Sequence, residues 1–112
     1  MPVSIAVLAK QVVDPEMPMA AFRIDADAKA VVPPPNIPPV VNGFDENAVE
    51  AALQIKEQGM ATEVILLTLG GAPAEARIKD GLARGADSAI RLDDPAFAGS
   101  DALGAARILA AA

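Results

Sequence analysis

The chain has no cysteine, histidine, tryptophan or tyrosine among its 112 residues, and only three phenylalanines. Without cysteine there is no disulfide framework, no thiol redox chemistry and no thiolate metal site. Without histidine the commonest general base and the commonest metal ligand are missing. These absences exclude most hydrolase and oxidoreductase chemistry carried by protein side chains, and no metal site is expected. Positive charge is also scarce: nine Lys and Arg stand against fifteen Asp and Glu, a net charge of −6. Binding a phosphate backbone needs a basic face, so nucleic acid is not an expected partner. No run approaches the roughly 20 apolar residues needed to cross a bilayer. Met1–Lys10 lacks the basic start and small-residue cleavage site of a secretory signal. The expectation is a cytoplasmic protein without membrane insertion.

What is present is aliphatic. Hydrophobic residues make up 53% of the chain, much of it Ala and Val, the usual filling between helices and a parallel sheet. The length suits one domain, 1–112, with one core. Val3 to Leu8 is a nearly continuous apolar segment, which predicts a first strand buried on both faces. Asp14-Pro15 and Pro18 break the pattern. Phe22-Arg23-Ile24 and Ala30-Val31-Val32 then flank Asp25 to Lys29 as the arms of a small β-hairpin flap. Pro33 to Pro39 can form neither ladder nor helix, because each Pro lacks an N–H and fixes φ near −65°. It reads as a stiff connector, since no basic residue lies beside it to suit a proline-binding domain.

Helical periodicity sets in from Asp45 to Gln58, with Ala48, Val49, Ala52, Leu53 and Ile55 on one face, and Gly59 ends it. Glu63 to Leu69 reads as a second buried strand closed by Gly70-Gly71. Ala74 to Arg84 is helical through Ile78 and Leu82, with Gly85 as a left-handed cap. Ser88 to Leu92 is a third, shorter strand, and Ser100 can cap a last helix through Leu103 and Ile108. Alternating strands and helices define a Rossmann-like parallel α/β layer. Three main strands make a thin sheet, so the fold reads as incomplete.

Ligands of such sheets bind beyond the carboxyl ends of the strands. At Leu8 to Lys10 the backbone groups leaving the first strand could pair with an adenine edge, although any strand end offers such groups. Gly70-Gly71 allows close backbone approach, and the helix near Ala74 would turn its positive end toward the same crevice. The pair lacks GxGxxG spacing and a P-loop Lys, so a plain turn is the competing reading. In Asn42-Gly43-Phe44-Asp45, Asn42 is a good N-cap and Asp45 stands where a capping box returns a hydrogen bond to the cap amide. The same residues would also offer free N–H groups and a polar amide to a nucleotide. The residues alone leave cap and ligand site both open.

Several segments resemble the electron transfer flavoprotein beta subunit family, in order and along the whole chain. Val7-Leu8-Ala9-Lys10-Gln11-Val12-Val13-Asp14-Pro15 is similar to its "V-x-V-K-x-V-x-D" opening. Asn42 to Ala52 is similar to its "N-P-F-D-E-x-A-x-E-E-A" signature, the most specific match, and Ala61 to Val64 and Gly85-Ala86-Asp87 also resemble family segments. The resemblance implies an adenine-nucleotide-binding α/β domain that holds a structural AMP. It further implies pairing with an alpha subunit that carries most of the FAD contacts, and electron transfer from dehydrogenases toward the respiratory chain. Carried over by position, the AMP contacts are Leu8, Asn42, Gly43, Phe44, Asp45 and Leu69.

Two departures bear on this. Gly43 stands where the family usually has Pro, the favoured first helical residue. The family's "G-x-Q-A-x-D-x-D" segment, which lines the AMP phosphate, is absent from the 112 residues, so the chain reads as an amino-terminal portion that holds only the adenosine side. Two other readings are a stand-alone, self-associating nucleotide-binding module and a nucleotide hydrolase using a carboxylate or Lys as base.

Overall fold

The computed structural model describes residues 3–112. In chain order the strands and helices are β1 Val3–Leu8, β2 Gln11–Val12, β3 Ile24–Asp25, β4 Ala30–Val31, β5 Val40–Val41, α1 Gly43–Glu57, β6 Ala61–Leu69, α2 Glu75–Arg84, β7 Ser88–Leu92 and α3 Ala102–Ala111. β1, β6 and β7 form one parallel sheet in that order, in register Leu8 with Leu67 and Leu69 with Leu92. This is the predicted Rossmann-like parallel α/β layer, with three strands. The hairpin flap forms as expected from β3 and β4. Its turn is held by the Asp25 carboxylate, which accepts the N–H groups of Asp27 and Ala28.

Side chains alternate across a strand, so β6 serves two layers. Val64 and Leu66 point to one face and are buried with Val7, Val49, Ala52, Leu53 and Ala86 in a core beneath α1. α1 packs on β1 and β6, and α2 on β6 and β7. Leu67 and Leu69 point to the other face, toward α3, and are only half-buried. α3 buries none of its residues. The prediction of a first strand buried on both faces therefore fails. No strand pairs with the outer side of β1 among the described residues, and Leu8 remains 48% exposed.

The helices also differ from the periodic reading in which residues meet the sheet. In α1 the buried stripe is Val49, Ala52 and Leu53, while Ala48 and Ile55 face solvent. In α2 Leu82 is exposed, and contact is made through Gly81. A Cβ on Gly81 would collide with Leu66 Cδ1, so glycine is what lets the helix approach the strand. Gly59 and Gly85 end α1 and α2 at φ 79° and 125°, a region costly for any residue with a Cβ. The last cap is Asp101, whose carboxylate accepts the Gly104 N–H at 2.8 Å; Ser100 instead donates its hydroxyl to the Phe97 carbonyl. The proline-rich connector is clamped at its end by Arg77, which donates to the Pro39 carbonyl at 2.6 Å.

Asp87 ties three elements at the amino-terminal side of the sheet. Its carboxylate accepts from Lys56 Nζ of α1 at 2.6 Å and from the Val64 N–H of β6 at 2.8 Å, and its own N–H donates to the Val64 carbonyl. The Lys56 ammonium first, and the Val64 amide second, hold the Asp87 carboxyl below the usual carboxylate range, against an opposing desolvation effect. A carboxyl depressed in the folded state stabilises fully above its ordinary pKa, about 4. The contribution is lost as pH falls through that value toward the lower folded one. Asp87→Asn is therefore expected to lower the thermal midpoint at neutral pH, with the gap to the parent chain narrowing below pH of about 4. Unfolding followed by circular dichroism across that range checks it; a gap that does not change with pH contradicts it.

Candidate functional site

The carboxyl end of β1 is where local sequence and long-range structure meet. Asn42 caps α1 as expected, its Oδ1 accepting the Phe44 N–H at 2.9 Å. Asp45 does not return a bond to the cap amide. Its Oδ2 accepts the Lys10 N–H at 2.8 Å, and the Asn42 N–H donates to the Lys10 carbonyl at 2.9 Å. The start of α1 is thus fastened to the residue that follows β1, across 35 positions of sequence. The antiparallel pair β2 and β5, Gln11 with Val41, extends the fastening. The acidic first turn, Asp45 and Glu46, also suits the positive end of the helix.

These bonds revise the expectation of free backbone groups after β1. Ala9 N–H donates to the Leu67 carbonyl, and both Lys10 groups are taken. The Ala9 bond fixes the parity: odd residues of β1 face β6, so the N–H and C=O of Leu8 project from the open edge. Leu8 thereby keeps one donor and one acceptor beside the start of α1.

A crevice of about 760 Å³ opens there, between the carboxyl ends of all three parallel strands and α3. Leu8, Asp45 and Leu69 line it, with Leu67, Gly70 and Gly71. Asn42, Gly43 and Phe44 do not: they line a separate groove on the far side of the helix start. The opening residues of α2 do not line the crevice, while Gly70 and Gly71 before it do. Missed by sequence reasoning were Lys10 as partner of Asp45 and the apolar wall that Ala102, Ala105 and Leu109 of α3 provide.

The crevice combines apolar strand ends with an acidic lining. Its volume lies in the range of small-molecule sites, and its strand ends are leucines. Its charge is unsuited to phosphate. Asp45, Asp93, Asp94 and Asp101 line it against one cation, Lys10. All four carboxylates are engaged within the fold. Besides the bond from Asp45 to Lys10, Asp93 pairs with Arg91 at 2.9 Å, Asp94 accepts the Ala96 N–H, and Asp101 caps α3.

A parallel three-stranded sheet flanked by helices, with its crevice at the strand carboxyl ends, defines a protein of the Rossmann-like α/β class. A family model described as "Electron transfer flavoprotein domain" matches residues 36–112, and the chain belongs to this family. It is 39% identical over 107 residues to the Caffeyl-CoA reductase-Etf complex subunit CarD of Acetobacterium woodii, covering 96% of this chain and 39% of that one. It is 37% identical to the electron transfer flavoprotein subunit beta of Thermoanaerobacterium thermosaccharolyticum, over 97% of this chain and 40% of the relative. The beta subunit of Megasphaera elsdenii is 39% identical over 96% and 38%. The chain spans about two fifths of the length of these curated relatives. No helix among the described residues is long and apolar enough to cross a membrane.

Proposed function

We propose that residues 1–112 act as one nucleotide-binding-type domain of an electron transfer flavoprotein beta-type subunit. In this reading the domain holds the adenosine part of a structural AMP, and the subunit pairs with an alpha subunit that carries most of the FAD contacts. The complex passes electrons from dehydrogenases toward the respiratory chain, and the flavin supplies that redox chemistry. This chain contributes binding and orientation, with no side-chain catalysis of its own. Leu8, Asp45 and Leu69 form the adenosine pocket. Asn42, Gly43 and Phe44 act on it indirectly, by setting the start of α1 from which Asp45 reaches Lys10.

The observation that carries the reading is the fastening of α1 to the end of β1, which sets Asp45 beside Leu8 in the wall of the crevice. Membership of the electron transfer flavoprotein domain family supports it. Co-expression with a candidate alpha subunit tests the pairing. The expected result is a co-eluting complex with the visible absorption of a bound flavin. Separate elution of the two chains, with no flavin on either, would overturn the subunit reading.

A further inference from the structure

Asn42-Gly43 carries a chemistry that neither the cap nor the crevice uses. An asparagine carboxamide can be attacked by the backbone nitrogen of the residue after it, and that residue's side chain is the main obstacle. Glycine has none. A Cβ built on Gly43 would meet no heavy atom within 4 Å, so that side of the peptide is open. Gly43 is the first residue of α1, and its N–H has no acceptor within the helix. The Asn42 Oδ1 accepts the Phe44 N–H at 2.9 Å, which holds the carboxamide against the first turn and polarises its carbon. Asn42 and Gly43 both line the open groove beside the exposed Phe44, where water reaches them.

The chain has three asparagines, and the other two fail these criteria. Asn36 precedes Ile37, whose β-branched side chain crowds the attacking nitrogen. Asn47 lies inside α1, where the following amide belongs to the helix ladder. We propose that Asn42 is a site of deamidation and isomerisation. The Gly43 nitrogen bonds to Asn42 Cγ and gives up its proton, and the side-chain nitrogen leaves as ammonia. Water then opens the five-membered imide. Attack at the former side-chain carbon yields aspartate; attack at the main-chain carbon yields isoaspartate. One water is consumed and one ammonia released, with no oxidant, reductant or cofactor. Ring closure turns ψ of Asn42 away from 133° and opens the bond from the Glu46 N–H to the Asn42 carbonyl. The first turn of α1 thus gates the reaction, and the clasp of Asp45 on Lys10 sets how often it opens. The two products act oppositely. Aspartate caps a helix as well as asparagine and adds negative charge at its positive end. Isoaspartate lengthens the backbone by one carbon and shifts the start of α1 away from Lys10.

The test incubates the 112-residue chain at mildly alkaline pH and maps its peptides by mass spectrometry. Enzymatic methylation specific to isoaspartate tells the two products apart. Asn42 is expected to convert about tenfold or more faster than Asn36 or Asn47, a barrier difference of about 1.4 kcal/mol or more. Gly43→Pro removes the attacking N–H and should keep Asn42 intact. It should also fold, because Pro suits the first helical position and ψ of 133° at Asn42 is what a following Pro requires. Asp45→Ala loosens the clasp and should speed conversion. Equal rates at the three asparagines, conversion in Gly43→Pro matching the parent, a rate in Asp45→Ala no higher than the parent's, or conversion of the parent only in urea would each overturn the proposal.

Discussion

Leu66→Ala is expected to cost about 2–5 kcal/mol of unfolding free energy. Leu66 is 3% exposed and lies in the core beneath α1, against Gly81 of α2. A partly open pocket of about 120 Å³ borders it, where Val49, Leu66 and Gly81 meet Glu46, Arg77, Asp80 and Arg84 at the surface. Truncation enlarges that space, and the cost rises with the cavity left behind. With total stability for a small domain on the order of 5–15 kcal/mol, the variant should be at or near the limit of folding. The partner substitution makes the cause visible. Gly81→Ala in the parent chain drives a Cβ into Leu66 Cδ1, so its helix-propensity gain of about 1 kcal/mol is offset by overpacking. In the Leu66→Ala background that clash is gone, and Gly81→Ala should restore about 1 kcal/mol. Urea midpoints of the four chains measure the coupling; additive effects would show that Leu66 and Gly81 do not meet as described.

Asp45→Ala is expected to act on both stability and binding. It removes the charged acceptor of the Lys10 N–H, a bond type worth about 1.5–3 kcal/mol. It also removes a carboxylate from the first turn of α1. Once the helix start is free to shift from the end of β1, the wall of the crevice beside Leu8 loses its position. AMP affinity should fall by about tenfold or more, the equivalent of about 1.4 kcal/mol or more. Asp45→Asn keeps an oxygen acceptor and should retain most of both properties. Calorimetry and thermal unfolding of the two variants separate the hydrogen bond from the charge. If alanine and asparagine behave alike, the fastening to Lys10 is not what Asp45 contributes.

Local signals in the sequence were legible. The apolar run of β1, the hairpin around Asp25, the Asn42 cap and the Gly59 and Gly85 stops all stand where residue chemistry placed them. Caps with two candidate acceptors were not: Asp101 outcompeted Ser100 because its carboxylate reaches the Gly104 N–H. The choice of core residues on α1 and α2 depended on which face met the sheet, and an exposed Leu82 beside a buried Gly81 inverts the usual hydrophobic ranking. Periodicity finds apolar stripes, but it has no term for a backbone that must come close. The site was half legible for the same reason. Leu8 and Leu69 follow from the rule that ligands sit beyond strand ends, and they line the crevice. Asp45 was identified, but its expected capping-box bond is not made, and its carboxylate accepts instead from Lys10, 35 residues away. The family resemblance grouped Asn42, Gly43 and Phe44 with it by position, while the turn of the helix points them into another groove.

The central claim is that the open edge of Leu8 and the adjoining crevice receive an adenine nucleotide. It is tested most directly by amide chemical-shift mapping of the 15N-labelled 112-residue chain with AMP, and with adenosine as a control. The expected result is saturable shifts at Leu8, Ala9, Lys10, Leu69, Gly70 and Gly71 for both ligands, with adenosine no weaker than AMP because the crevice is lined by four carboxylates against one cation. Silence at these amides at millimolar ligand, or shifts confined to other parts of the chain, would contradict it.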